Sequence, residues 1–131
     1  MLKAYDPGGN FAFEAHQYLD ADGSGTSPNC VAGSGARLVP FTTWLKKNAL
    51  QGLIGEIGWA ANSGCATEAT ALLQSFKDAT DESSAGGYIG LTYWANGPWW
   101  PDSYMFLAEP RPFPGGPEPE QLKLLKSYVP R

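Results

Sequence analysis

The sequence is poor in charge, in cysteine and in basic clusters, and each shortage removes a class of function. Asp, Glu, Lys and Arg together make up only 17% of the 131 residues. The nine Lys and Arg never gather beyond Lys46-Lys47 and the Lys123/Lys126 pair, and the balance is acidic, −4 with an isoelectric point near 4.8. Nucleic acid and anionic membrane are therefore poor partners. No apolar run approaches the ~20 residues of a membrane helix. The opening stretch MLKAYDPGGN lacks the apolar segment of a signal peptide, so no export signal is expected within this chain. Cysteine stops at two, Cys30 and Cys65, too few for a disulfide framework and spaced like no zinc site, which leaves one bridge or two thiols. What the sequence does have is aromatic rings, 13% of residues with five Trp, of which Trp94, Trp99 and Trp100 lie within seven positions. Such a cluster fits a surface that stacks flat apolar faces, sugar rings being the commonest; a set of core aromatics fits the composition equally well.

The length suits one domain. Phe11 to Leu19 reads as a strand with Phe11, Phe13, Ala15 and Gln17 on one face and Ala12, Glu14, His16 and Tyr18 on the other. A Gly-, Ser- and Asp-rich loop runs to about Val39, long enough to point to function or to a clip at Cys30. Pro40 opens a helix over Phe41 to Asn48. Leu53 to Trp59 is a second strand, apolar but for Glu56, and Asn62-Ser63-Gly64 is a turn signal. A helix over Thr67 to Ala79 ends near Gly86-Gly87. Tyr88 to Trp94 is a third strand, followed by an aromatic loop to Tyr104, an extended piece to Leu107, and a closing helix over Glu118 to Tyr128 with Leu122, Leu125 and Val129 in register. The strand–helix alternation predicts an α/β fold with a parallel sheet and right-handed crossovers. It divides into an N-terminal segment 1–10 and βα units at 11–50, 51–86 and 87–131. A dinucleotide-binding reading fails because Gly23-Ser24-Gly25 lies deep in its loop and opens no helix. In a barrel, chemistry collects where strands end, the neighbourhood of His16, Tyr18, Glu56 and Trp94.

Glu56 is the sharpest chemical signal. A lone carboxylate among Ile54, Ile57 and Trp59 costs several kcal/mol if unpaired, so either an ion pair with a distant Arg or a function must account for it. In a retaining glycosidase such a group attacks the anomeric carbon. His16 and Tyr18 share a strand face, so imidazole and phenol can address one ligand or one carboxylate; a Glu14/His16 hydrogen-bonded pair is the plainer alternative. Trp94, Trp59, Trp99, Trp100 and Tyr104 are candidate sugar-stacking rings, or packing.

The run from Phe13 to Ser27, FEAHQYLDADGSGTS, resembles the sixth-strand signature of glycoside hydrolase family 5 endo-β-1,4-glucanases. Ile54-Gly55-Glu56-Ile57-Gly58 resembles the seventh-strand nucleophile motif, and Leu91-Thr92-Tyr93-Trp94-Ala95 the eighth strand. Order and spacing agree along essentially the whole chain. The resemblance implies a partial (β/α)8 TIM barrel of about three βα units. It makes Glu56 the nucleophile, Tyr18 its hydrogen-bond partner, His16 a contact for substrate or partner acid, and Trp94 the floor of the −1 sugar subsite. It also implies a Cys30–Cys65 disulfide, a secreted enzyme of cellulose degradation, and a β-1,4-glucan or cello-oligosaccharide substrate. No cofactor and no metal are implied, since carboxylates suffice for glycoside hydrolysis.

The Asn-Glu-Pro segment that donates the general acid in this family has no counterpart in these 131 residues. Retaining hydrolysis needs two carboxyl groups about 5 Å apart, so Glu14, Glu109 or a Glu56 from a second chain is a candidate for the other. Three parallel strands also leave two open edges and a bare face carrying Ala12 and Glu14, which predicts a homo-oligomer joined at sheet edges. The expected function is a cellulase-type endoglucanase fragment; the alternatives are a non-catalytic β-glucan-binding module and an inactive truncated fragment.

Overall fold

The computed structural model describes residues 5–81 and 86–128. Three strands, β1 (Phe13–Tyr18), β2 (Gln51–Gly58) and β3 (Gly87–Tyr93), form one parallel sheet in the order β1-β2-β3. Helices α1 (Val39–Asn48) and α2 (Ser63–Asp81) make the two crossovers, and α3 (Glu120–Tyr128) follows β3 and packs on α2. The α/β alternation expected from the sequence is what three consecutive βα units of a barrel produce.

Period-two burial explains β1: Phe13, Ala15 and Gln17 are partly covered, while Glu14 and His16 are exposed. Phe13 packs edge-on against Trp44 of α1, at 4.8 Å between ring centroids. The helix-covered side of the sheet holds the core. Leu45, Ile54, Ile57, Leu72, Leu73 and Tyr88 are all at most 2% exposed, each worth about 2 kcal/mol in apolar burial. Tyr88 locks the two helices to β3, touching Phe41 and Phe76 while its hydroxyl shares a 2.9 Å hydrogen bond with Thr42.

Element ends differ from the sequence reading for local reasons. Helix α1 starts at Val39 because Pro40 suits the first turn, where no backbone N–H is needed. Asn62 is not a turn residue. Its side chain accepts from the Cys65 N–H at 2.9 Å and its carbonyl from Ala66 N–H at 2.9 Å, so it caps α2, which begins at Ser63. The long loop contains a short 3-10 turn, Ser34–Ala36, seated on α2, where Gly33 and Gly35 N–H groups donate to Glu68 at 3.1 and 2.8 Å. The piece ending at Leu107 is not extended: successive turns close through Tyr104 N–H to Pro101 and Leu107 N–H to Tyr104. Helix α3 begins at Glu120, since Pro119 supplies only a carbonyl, accepting from Lys123 N–H at 3.1 Å. Val129 lies outside the described residues.

Strand β2 carries an irregularity that strict alternation does not foresee. Against β1 the pairing steps from Ala15/Ile54 to His16/Glu56, and against β3 from Leu91/Ile54 to Tyr93/Ile57. Both neighbours therefore see one extra residue around Gly55 and Glu56, a β-bulge. Its result is that Ile54 and Ile57, three apart, are both fully buried, and Glu56 is turned to the uncovered face beside β1.

Candidate active site

The uncovered face gathers its functional groups at the C-terminal ends of the strands. Register alone sets His16 opposite Glu56 and Tyr18 opposite Gly58. The Tyr18 hydroxyl donates to Glu56 Oε1, and His16 Nδ1 stands 3.4 Å from Glu56 Oε2. His16 Nε2 meets Glu14 Oε1 at 3.1 Å, so the imidazole bridges two carboxylates. Glu14 lies across Gly55, where a Cβ would occupy its carboxyl. Both sequence alternatives for His16 are realised together, the Glu14 pair and the approach to a shared carboxylate. The Glu56 side chain is 24% exposed and those of Glu14 and His16 more than half exposed, so Glu56 is partly sheltered and still reachable. Burial, followed by the hydrogen bond to Glu56 and the proximity of its charge, raises the pKa of Tyr18 far above the usual tyrosine value. The neutral phenol, which donates to the carboxylate, is thus the favoured form of Tyr18.

A relay of rings runs from Glu56 to solvent. Tyr18 stacks on Phe106 at 5.7 Å, and Phe106 meets Tyr104 edge-on at 5.8 Å. Tyr104 stacks on Trp100 at 4.3 Å, and Trp100 meets Trp94 edge-on at 5.4 Å. Burial raises the Tyr104 pKa, and the neighbouring Trp94 side chain partly offsets it. Trp94 is 40% and Trp99 92% exposed, leaving ring faces free at the rim. The loop bearing them is pinned by Arg111, whose Nη2 donates to the carbonyls of Gly97 at 3.2 Å and Trp100 at 3.0 Å.

Two expectations need correction. Trp59 is no sugar platform: at 2% exposure, with its ring edge-on to Tyr93 at 4.8 Å and its carbonyl accepting from the Tyr93 hydroxyl, it is core. Glu109 is no free second carboxyl, because it is buried and ion-paired with Arg111 at 2.8 Å. Cys30 and Cys65 are joined in a disulfide that ties the loop after β1 to the start of α2. Sequence reasoning also passed over Phe106, Arg111 and the buried Asp20. The run Asp20-Ala21-Asp22-Gly23-Ser24-Gly25, a carboxylate at the head of a Gly- and Ser-rich turn, was the available signal for Asp20; nothing local marks Phe106. Among the described residues no group of three His, Cys, Asp or Glu is arranged to hold a metal ion.

Comparison with known proteins agrees with this fold. The family model "Cellulase (glycosyl hydrolase family 5)" matches residues 1–98. Endoglucanase gh5-1 of Neurospora crassa is 41% identical over 128 residues, spanning 95% of this chain and 30% of that protein. Endo-beta-1,4-glucanase B of Aspergillus niger is 40% identical over 112 residues, 84% of this chain and 32% of the relative. A crystal structure of the endo-beta-1,4-glucanase of Xanthomonas axonopodis pv. citri superposes with a TM-score of 0.80 at 39% identity, covering 93% of this chain and 37% of that one. XacCel5A crystallised with cellopentaose gives the same TM-score at 38% identity, covering 95% and 38%. The chain thus spans about a third of the length of the relatives it matches. It is a member of glycosyl hydrolase family 5, the cellulase family.

Proposed function

We propose that this chain is the nucleophile-bearing part of a retaining endo-β-1,4-glucanase acting on β-1,4-glucan. The observation that carries the reading is the joint grip of Tyr18 and His16 on the Glu56 carboxylate at adjoining parallel strand ends. Glu56 attacks the anomeric carbon of the sugar, the bond to the leaving oxygen breaks, and water later cleaves the glycosyl ester. Tyr18 holds one carboxylate oxygen by its proton, leaving the other beside His16 and the open face. Trp94, with Trp99 and Trp100 beyond it, offers ring faces to successive sugars. The second carboxyl group, acid in the first step and base in the second, comes from outside this set of residues or from Glu14, which His16 already holds at the site. The Cys30–Cys65 bridge favours an oxidising, extracellular setting. Two open sheet edges favour association of chains edge to edge.

Chemistry itself separates the two half-reactions. A 2,4-dinitrophenyl β-cellobioside has a leaving group that departs without protonation, so the nucleophile acts without an acid. The full chain is expected to release a burst of about one dinitrophenolate per molecule and to retain a cellobiosyl ester on Glu56, seen by mass spectrometry; Glu56→Ala abolishes both. Absence of burst and adduct in the unmodified chain, with a tryptophan fluorescence change on cellopentaose, would instead identify a glucan-binding module. Steady release of reducing sugar from carboxymethyl cellulose, lost in Glu56→Ala, would show that assembly supplies the second carboxyl group.

A further inference from the structure

Tyr18 is held on more sides than its strand accounts for. Leaving β1, the chain folds back over the Tyr18 ring, and Gly25 lies on the ring face: a Cβ there would stand 2.8 Å from Cγ, Cδ1 and Cε1. Phe106 covers the ring at 5.7 Å with the planes 20° apart. On β2, a Cβ at Gly58 would stand 3.1 Å from Tyr18 Cε1 and collide with the Trp94 carbonyl. Gly25, Gly58 and Phe106 thus wall the Tyr18 ring closely on three sides.

The wall at Gly25 is set by one buried carboxylate. Asp20, 2% exposed, accepts from the backbone N–H of Gly25 on Oδ1 at 3.1 Å, and from Thr26 and Ser27 on Oδ2 at 3.0 and 3.2 Å. The Ser24 hydroxyl approaches Oδ2 at 3.4 Å. From the other side Arg37 donates to the carbonyls of Tyr18, Asp20 and Ala21 at 3.1, 2.6 and 3.0 Å, fixing the chain as it leaves the strand. A charged acceptor with three backbone donors orders the loop much more firmly than its Gly- and Ser-rich composition would. Gly25 has φ +73°, a conformation that glycine adopts without steric cost.

We propose that the Asp20–Ser27 loop is a positioning device for Tyr18, with Asp20 placing Gly25 on the ring so that the hydroxyl is aimed at Glu56. Asp20 and Gly25 touch no reacting atom in this scheme; they act through Tyr18. The kinetic consequence rests on the reading of Glu56 as nucleophile, whereas the structural one does not.

Two measurements on the full chain keep these apart. The first follows Tyr18 by NMR of a tyrosine-ζ ¹³C label at neutral pH, assigned with Tyr18→Phe. The titratable groups facing its hydroxyl are Glu56 on β2, Tyr93 at the end of β3 and Tyr104 beyond it, with His16 on the far Glu56 oxygen. Gly25→Ala is expected to shift the Tyr18 signal while the chain is folded, with the other tyrosine signals unmoved. The near-isosteric Asp20→Asn, which loses the charge and most of the acceptor sites, is expected to do the same to a smaller extent and serves if Gly25→Ala does not fold. A folded variant of either kind with an unmoved Tyr18 signal overturns the proposal, whatever the chain's activity. The second measurement is the burst rate on dinitrophenyl cellobioside. A displacement near 1 Å can cost roughly 100-fold, so Gly25→Ala is expected to slow the burst by about that factor. In the Tyr18→Phe background it adds no further loss. Additive losses in the double variant would show a general packing role and also overturn the proposal. If the parent shows no burst at all, the nucleophile reading fails and the NMR result still decides.

Discussion

At the scale of single residues, the site is one carboxylate whose surroundings are mostly rings. Tyr18, Tyr88, Tyr93 and Tyr104 all have pKa values raised first by burial. A raised value means the neutral form is favoured in the folded chain. The associated stability is fully present below the ordinary tyrosine value of about 10 and is lost as the pH climbs through the higher folded values. A spectrophotometric titration is therefore expected to show these tyrosines ionising together with unfolding, as a steep step above pH ~10. Smooth, reversible ionisation near 10 with circular dichroism unchanged would contradict the burial described for them. Legibility at this scale was uneven. Glu56, His16 and Tyr18 stood out because a carboxylate in an apolar strand and two polar groups on one strand face are local patterns. Trp59 did not separate from Trp94, since nothing local tells a tryptophan before a helix cap from one at an open rim.

At the scale of elements, the loop after β1 and the start of α2 are joined three ways. The Cys30–Cys65 bridge closes a separation of 35 residues, the Asn62 side chain donates to the Pro28 carbonyl at 2.9 Å, and Glu68 binds the loop N–H groups of Gly33 and Gly35. Cross-linking a loop of that length restricts the unfolded chain by roughly 3–4 kcal/mol. Cys30→Ala/Cys65→Ala is expected to lower the denaturation midpoint accordingly in urea, with the slope altered as the unfolded chain expands. A midpoint within experimental error of the parent's would show that the other two ties suffice. The elements themselves were readable in type and order, because apolar periodicity and Pro and Gly punctuation are strong along this chain. Their ends were less so: Asn62 has the same appearance as a turn residue and as a helix cap until its partner N–H groups are known. The β2 bulge left a trace in Gly55, but only the two ladders on either side show the extra residue.

At the scale of the whole molecule, helices cover one face of the sheet and, among the described residues, the other stays open. That face carries Glu14, His16 and Glu56, and among the described residues each outer strand has a strand neighbour on one side only. Ile89 on the outer strand β3 is 55% exposed. Association through these edges predicts a mass above that of the 14.0 kDa monomer in light scattering at micromolar concentration. Ile89→Lys, a charge on an edge strand, is expected to move the population toward the monomer while Glu56→Ala leaves it unchanged. A monomer in the parent under those conditions would set the edge reading aside.

By itself the sequence determined the class of fold and the family and singled out the Glu56 carboxylate, because all three are written in short-range patterns: apolar strands alternating with amphipathic helices, and motifs contiguous along the chain. Only the tertiary structure decided which rings are exposed and which are core, that Glu109 is consumed by Arg111, and that the loop after β1 folds back onto the ring of Tyr18. Those outcomes depend on contacts between segments far apart in sequence. The Tyr93 hydroxyl reaches the Trp59 carbonyl across 34 positions, and no pattern within either segment states that the other lies beside it.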